Sequence, residues 1–264
     1  MSGRNRVSRR EFVRHVAIGG SWFFTSPMTS KVFADQGLIR QAERAGYGEI
    51  PDQGALASWA RLRFRTDAGE NDYWDVHPQG DLKLIRAINK DVTAQVSNVW
   101  NVADVGNLDE MVRFPMLFMH SEATPGLNDQ EKLNLREYML RGGFLYAEDC
   151  VMGEFGHHSG KGDWDFFFRK MSDVLREIVP EATWERLPLD HPIFKMFYHL
   201  PKGQPHMQGQ PHGAWGLTYK GRLMAYLSPS DAHCGWTSAQ WFGVRKSRDA
   251  LKMGVNIYLY AMTH

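Results

Sequence analysis

The chain has 264 residues, 43% hydrophobic, 23% charged and 12% aromatic. This composition supports a sizeable core and excludes disordered, collagen-like and coiled-coil classes; the length fits one α/β domain or two smaller ones, since compact domains run to roughly 100–250 residues. Two cysteines, Cys150 and Cys234, exclude a disulfide scaffold and a four-cysteine zinc knot, and a formal charge of +1 argues against a nucleic-acid partner.

Residues 1–34 read as an export signal. Ser8-Arg9-Arg10-Glu11-Phe12-Val13 is followed by the weakly apolar stretch from Val16 to Phe24 and by the small-x-small-like site Val32-Phe33-Ala34. The arrangement resembles a twin-arginine signal peptide. That resemblance implies export to the periplasm or cell envelope and a route used by folded cargo, often with a cofactor already inserted. Removing these residues leaves 25 basic and 29 acidic side chains, a balance of −4, and no transmembrane span is expected in the mature chain.

Residues 35–57 are punctuated by Gly37, Gly46, Gly48, Pro51 and Gly54 and read as an extended lead-in, so a single domain is expected over residues 58–264. Trp59 to Phe64 has strand length, Pro78 opens a helix to about Asn89, and Thr93 to Val99 returns as a strand. Phe114 to Met119 is a continuous apolar run, hence a buried strand. Asn128 and Glu131 form a capping-box pattern for a helix whose stripe is Leu135, Tyr138 and Met139, stopped at Gly142-Gly143.

Phe144 to Ala147 is the next strand, and Phe167, Met171, Val174, Leu175 and Ile178 stripe the next helix before Pro180. Trp215 to Leu227 reads as a hairpin about Lys220-Gly221 at a sheet edge, and Leu251, Val255 and Tyr258 mark a C-terminal helix. Strands alternating with helices imply a three-layer α/β fold with a mainly parallel sheet.

In such sheets ligands bind beyond the strand carboxyl ends. After the successive strands come Asp72, Asp75 and His77, then His120, Ser121 and Glu122, then Glu148, Asp149 and Cys150, and after the hairpin Asp231, His233 and Cys234. Asp75, His77, Glu122, Glu148 and Asp149 are therefore candidates to line a polar crevice that binds a small ligand. Cys150, His233 and Cys234, with Asp149 or Asp231, form a donor set suited to zinc, copper or iron. A Cys150–Cys234 disulfide and two buried structural thiols are the competing readings of the same cysteines. The histidine pair His157-His158, and His206 and His212 in the repeated Gln-Pro-His loop, read first as surface loop residues, the latter two also as a lid; neither a phosphate loop nor a dinucleotide fingerprint is present.

Asp75-Val76-His77-Pro78, Glu148-Asp149-Cys150, Leu187-Pro188-Leu189-Asp190-His191-Pro192-Ile193 and the run from Ser228 to Trp236 resemble the bacterial domain-of-unknown-function 4159 family. The resemblance implies a class I glutamine-amidotransferase-like, flavodoxin-like fold and brings no established reaction. It makes Cys150 a candidate nucleophile, His233 its base and Asp231 the orienting group. The sequence departs from the enzyme pattern at both places: Cys150 leads into Val151 and a loop instead of a small-residue elbow, and His233-Cys234-Gly235 stands where a proline and then a glutamate belong. A non-catalytic scaffold or assembly partner of another envelope protein is the remaining expectation.

Overall fold

The computed structural model describes residues 57–67, 73–93, 96–151 and 165–264. The export signal, the lead-in up to residue 56, Asp72 and His157-His158 lie outside them, and Ala57, the last residue of the expected lead-in, already begins the first strand. Seven strands, β1 (Ala57–Arg63), β2 (Val96–Asp104), β3 (Met116–Ser121), β4 (Phe144–Asp149), β5 (Thr183–Arg186), β6 (Trp215–Tyr219) and β7 (Arg222–Ser228), form one sheet in the order β2-β1-β3-β4-β7-β6-β5. The pairs β1–β2, β1–β3, β3–β4 and β4–β7 are parallel, while β6 runs antiparallel to both β7 and β5.

Helices α1 (Gln79–Asp91), α5 (Ala232–Thr237) and α7 (Val244–Thr263) pack together and cover one face. The other face carries α3 (Asp129–Leu140) and α4 (Phe166–Ile178); α2 (Leu108–Met111) and α6 (Ala239–Phe242) are short connecting turns. The protein is thus a three-layer α/β fold with a mostly parallel sheet.

Local chemistry explains where several elements start and stop. Asn128 accepts from the Glu131 backbone N–H, and the Glu131 carboxylate accepts from the Asn128 N–H, closing the capping box at the start of α3. Gly142, at φ 106°, ends that helix in a conformation open to glycine. Lys220 and Gly221, at φ 50° and 77°, make the two-residue turn between β6 and β7 with the twist that antiparallel strands need.

The hairpin does not lie at the sheet edge: β7 is interior, paired with β4 and β6, and the edge strand is β5. Thr183-Trp184-Glu185-Arg186 escapes recognition in the sequence because an edge strand that is mostly solvent-exposed has no apolar run to reveal it. The second strand is also longer than its apolar pattern indicates, running on to Asp104.

Because strand residues alternate between faces, the face under α1, α5 and α7 is built in two rows across the sheet. Arg61, Phe118, Tyr146 and Tyr226 are in register across β1, β3, β4 and β7, and one step further along lie His120, Glu148 and Ser228. The first row is largely aromatic and packs on Trp236, with Phe118 and Tyr146 centroids 5.7 and 6.1 Å from it. The second row is polar and sits at the carboxyl ends, where β3 and β4 stop and the site begins.

On the opposite face Phe167 of α4 is fully buried, its ring 6.3 Å from that of Phe64. Phe167→Ala is expected to cost about 3–5 kcal/mol in denaturant unfolding, as for other buried aromatics; an unchanged midpoint would remove α4 from the core.

Candidate functional site

Arg61 is an arginine in the middle of an otherwise apolar strand, and it is completely buried. Its Nε donates to Asp81 Oδ1 at 3.0 Å and its Nη2 to Asp81 Oδ2 at 2.5 Å, giving a two-pronged pair with the first turn of α1. Its remaining N–H groups hold the Trp74 and Val76 carbonyls at 2.9 Å each, which fixes the turn leading to His77. Trp59 Nε1 adds a 2.6 Å hydrogen bond to Asp81 Oδ1. Burial works to raise the Asp81 carboxyl, but Arg61 and His233 overcome it and hold the group well below the usual carboxylate range.

His233, also fully buried, reaches this pair from α5, with Nε2 3.1 Å from Asp81 Oδ2 and from Arg61 Nη2. The close approach of α1 and α5 depends on Gly80, where a Cβ would lie 2.7 Å from His233 Nε2. The His233 ring stands 4.2 Å from that of His120, centroid to centroid. His120 ends the apolar part of β3; it is fully buried and neither of its ring nitrogens has a hydrogen-bond partner. Burial, with the nearby His233 and Arg61 charges, pushes its pKa far below normal, so the imidazole is neutral and keeps a lone pair.

The two thiols meet beside it. Cys150, just past β4, and Cys234, on α5, are free, buried and 3.5 Å apart, sulfur to sulfur. The hydrogen bond between them, together with burial, keeps Cys150 protonated, and the same hydrogen bond lowers the Cys234 pKa well below that of an ordinary thiol. Asp231 enters from the β7–α5 turn in a left-handed conformation, φ 54°, that side chains seldom adopt. Its Oδ2 accepts from Gln208 Nε2 at 2.6 Å, its Oδ1 is buried without a partner, and burial pushes its pKa far up.

Gln208 also donates to the Val151 carbonyl, and Met207 N–H to the Ser230 carbonyl. Part of the repeated Gln-Pro-His loop therefore lies against the thiol turns. Further along that loop His212 bonds Asp165 at 2.7 Å and stacks on Phe168.

Two overlapping sets of donor atoms result, each within 4.8 Å throughout: His120, Cys150 and Asp231, all buried, and His77, Cys150 and Cys234. Cys150 belongs to both. Glu122 stands at their outer side, its Oε1 3.8 Å from Cys150 Sγ and 4.0 Å from His77 Nε2. His77 is held at φ 52° and packs edge-on against Trp241, which is 58% exposed. Glu122 also lines an open cleft with Asp67, Ala123, Thr124 and Phe166.

The structure thus brings His77, Glu122, Cys150, Asp231 and Cys234 together. His233 adjoins them but is turned toward Asp81 and Arg61, outside both donor sets. Glu148 and Asp149 point to opposite faces of the sheet. Glu148 accepts from Ser228 Oγ, Tyr146 Oη and the Ala232 N–H, tying β4 to the turn that carries Asp231, whereas Asp149 accepts from the Phe168 N–H and anchors α4. Asp75 is half-buried in the short 3-10 turn Tyr73–Asp75, outside both donor sets.

Sequence reasoning assigns no role to Arg61 or Asp81, and names His120 only among the polar groups that follow the third strand. The signal for Arg61 is its place between Ala60 and Leu62 in a buried strand, because a charge there requires a buried counter-charge.

Fold and site together define a three-layer α/β protein with a polar, thiol-containing centre at the strand carboxyl ends. The profile of the family described as domain of unknown function (DUF4159) matches residues 59–262, and the chain belongs to that family. No curated protein matches it. Among the described residues no helix is long and apolar enough to cross a membrane.

Burial raises the Glu148 carboxyl from 4.5 to about 7, against the opposing hydrogen bonds from Ala232, Ser228 and Tyr146. An acid whose folded pKa is raised stabilises the fold below its unfolded pKa, and this contribution is lost as pH rises through the folded value. Stability should therefore decline between about pH 4.5 and 7 by up to the order of 3 kcal/mol from this group. Glu148→Gln is expected to flatten that part of the profile in denaturant unfolding at pH 5 and pH 8; an unaltered slope would remove Glu148 as its source.

Proposed function

We propose that this is an exported protein that binds a transition-metal ion at the Cys150–Cys234 centre, with His120 and Asp231 on the buried side and His77 toward solvent. The observation that carries the reading is the pair of unsatisfied donors facing the thiols. Both His120 ring nitrogens and Asp231 Oδ1 are buried without partners, in a set whose donor atoms lie within 4.8 Å of one another. Such groups each cost free energy when left unmet, and a cation repays that cost.

Each set combines sulfur and imidazole donors, and the buried one adds a carboxylate; such donors suit zinc, copper or iron. His233 and Asp81 then act behind the ligands, packing the His120 ring in place. We assign the scaffold to the class I glutamine-amidotransferase-like α/β type, on the strength of its mostly parallel sheet with helices on both faces. The free thiols 3.5 Å apart also support a second reading, a Cys150–Cys234 disulfide in an oxidising envelope.

The full chain, purified under reductant and dialysed against zinc, is expected to retain a stoichiometric ion by elemental analysis. Cys150→Ser should weaken retention beyond the roughly 10–100-fold loss that outer-shell partners command. Absence of bound metal, together with thiols that label only after reduction in protein purified without reductant, would replace the metal reading with the disulfide. For export, Arg9→Lys with Arg10→Lys is expected to leave the precursor in the cytoplasm, whereas unimpaired delivery to the envelope fraction would refute the twin-arginine route.

A further inference from the structure

Two helices that lie side by side carry matching stripes of positive charge. On α1 the outward positions Lys83, Arg86 and Lys90 follow the i, i+3, i+7 spacing of one helix face, and on α7 Arg245, Arg248 and Lys252 repeat it. All are exposed except Lys252, which is half-buried. The helices are in close contact, since a Cβ on Gly254 of α7 would lie 2.7 Å from the Leu84 side chain of α1. Contacts at both ends align the stripes. At one end Lys83 donates to the Thr237 carbonyl, and Ser247 Oγ to the neighbouring Ser238 carbonyl at 3.5 Å. At the other, the Tyr198 hydroxyl donates to Asp91 at 2.6 Å while Lys252 Nζ lies 5.4 Å from the centre of the Tyr198 ring.

This charge does not serve the helix that carries it. The first turn of α7 holds Arg245 and Lys246 and no acidic residue, so cations stand at the end where the helix dipole repels them. The charge also runs against the balance of the chain, because residues 35–264 carry 25 basic and 29 acidic side chains. Of the acidic residues on the outer sides of the two helices, Asp91 is engaged by Tyr198, and Asp249 stands 4.0 Å from Lys252. Beside the start of α7, Trp241 is 58% exposed and Val244 64%.

We propose that this face docks on the surface of an anionic phospholipid bilayer, with the cations of α1 and α7 at the headgroup phosphates and Trp241 and Val244 at the boundary with the acyl chains. Charge complementarity selects an anionic partner. A bilayer fits better than an acidic polypeptide because the cations are spread over two parallel helices and bordered by an exposed indole, and a membrane interface takes up both. The attachment is peripheral, as no helix among the described residues is long and apolar enough to cross a membrane. Trp241 also packs edge-on against His77, so the docked face adjoins the donor sets. The contact needs no bound ion and stands or falls independently of the metal reading.

The test uses the full chain and vesicles whose acyl chains carry bromine, which quenches tryptophans that reach the bilayer. The signal of Trp241 is the difference between the wild type and Trp241→Phe, so quenching of any other tryptophan cancels. Phosphatidylglycerol vesicles are expected to quench this signal saturably, and phosphatidylcholine vesicles to leave it unchanged. Arg245→Gln with Arg248→Gln, both exposed positions, should raise the lipid concentration at half-quenching about 30-fold, since each cation near an anionic surface is worth about fivefold in partitioning. Equal quenching by both lipids, or a half-point unmoved in the double variant, overturns the proposal. Absence of quenching by phosphatidylglycerol overturns it as well, and polyglutamate bound by the wild type but not by the double variant then assigns the face to an acidic polypeptide.

Discussion

The buried Arg61–Asp81 pair is the interaction on which the remainder of the site depends. A guanidinium with no exposure inside an apolar strand is tolerable only when it is fully neutralised and hydrogen-bonded. Removing one partner from such a pair typically costs 3–5 kcal/mol, far more than the pair itself contributes. Here the same guanidinium also fastens the 73–76 turn through two carbonyls and approaches His233. One charge thereby sets the positions of β1, α1, the segment leading to His77, and α5, which carries Cys234. Indole and phenyl rings finish its enclosure, with Trp100 and Phe118 centroids 5.6 and 5.5 Å from the guanidinium carbon.

The second organising feature is the division of one sheet face into an aromatic row and a polar row. Tyr146 and Glu148 are two residues apart on β4, so both face α5, and the Tyr146 hydroxyl hydrogen-bonds to the Glu148 carboxylate at 3.1 Å. Glu148 in turn holds the Ala232 N–H at 2.8 Å, which secures the start of α5 just after the strained Asp231. Backbone strain of this kind costs on the order of 1–3 kcal/mol and persists only where the surroundings enforce it. Glu148, Gln208 and the Ser230–Met207 backbone bond provide that enforcement, and its effect is to aim Asp231 Oδ1 into the thiol centre rather than at solvent. A Glu148 carboxyl whose pKa is raised to about 7 suits the role, because the neutral form that burial favours is cheaper to bury than a charge.

The arrangement also gives separate tasks to residues that are adjacent in the sequence. Glu148 and Asp149 stand side by side, yet one braces the site turn and the other anchors α4. His233 and Cys234 likewise diverge: the imidazole goes to the ion pair and the sulfur to Cys150. Neighbouring positions on a strand or helix point in different directions, so a compact motif in sequence distributes its side chains among different partners.

The sequence by itself determined the alternation of strands and helices, the capping box at Asn128, the turn at Lys220-Gly221 and the rule that polar residues collect after strand ends. These are local features, written in apolar periodicity, backbone preference and capping chemistry over a few residues. It also marked Cys150, Asp231 and Cys234 as residues of one region. Tertiary structure alone decided that β5 is the edge, that His233 serves Arg61 and Asp81, and that His120, with no local motif around it, faces the thiols with both nitrogens unmet. The reason is that strand order, register and helix approach bring together groups as far apart as Arg61 and His233, 172 positions distant along the chain. A charge buried in a strand states in the sequence that a partner is required; which carboxylate answers it is fixed only when α1 docks on the sheet.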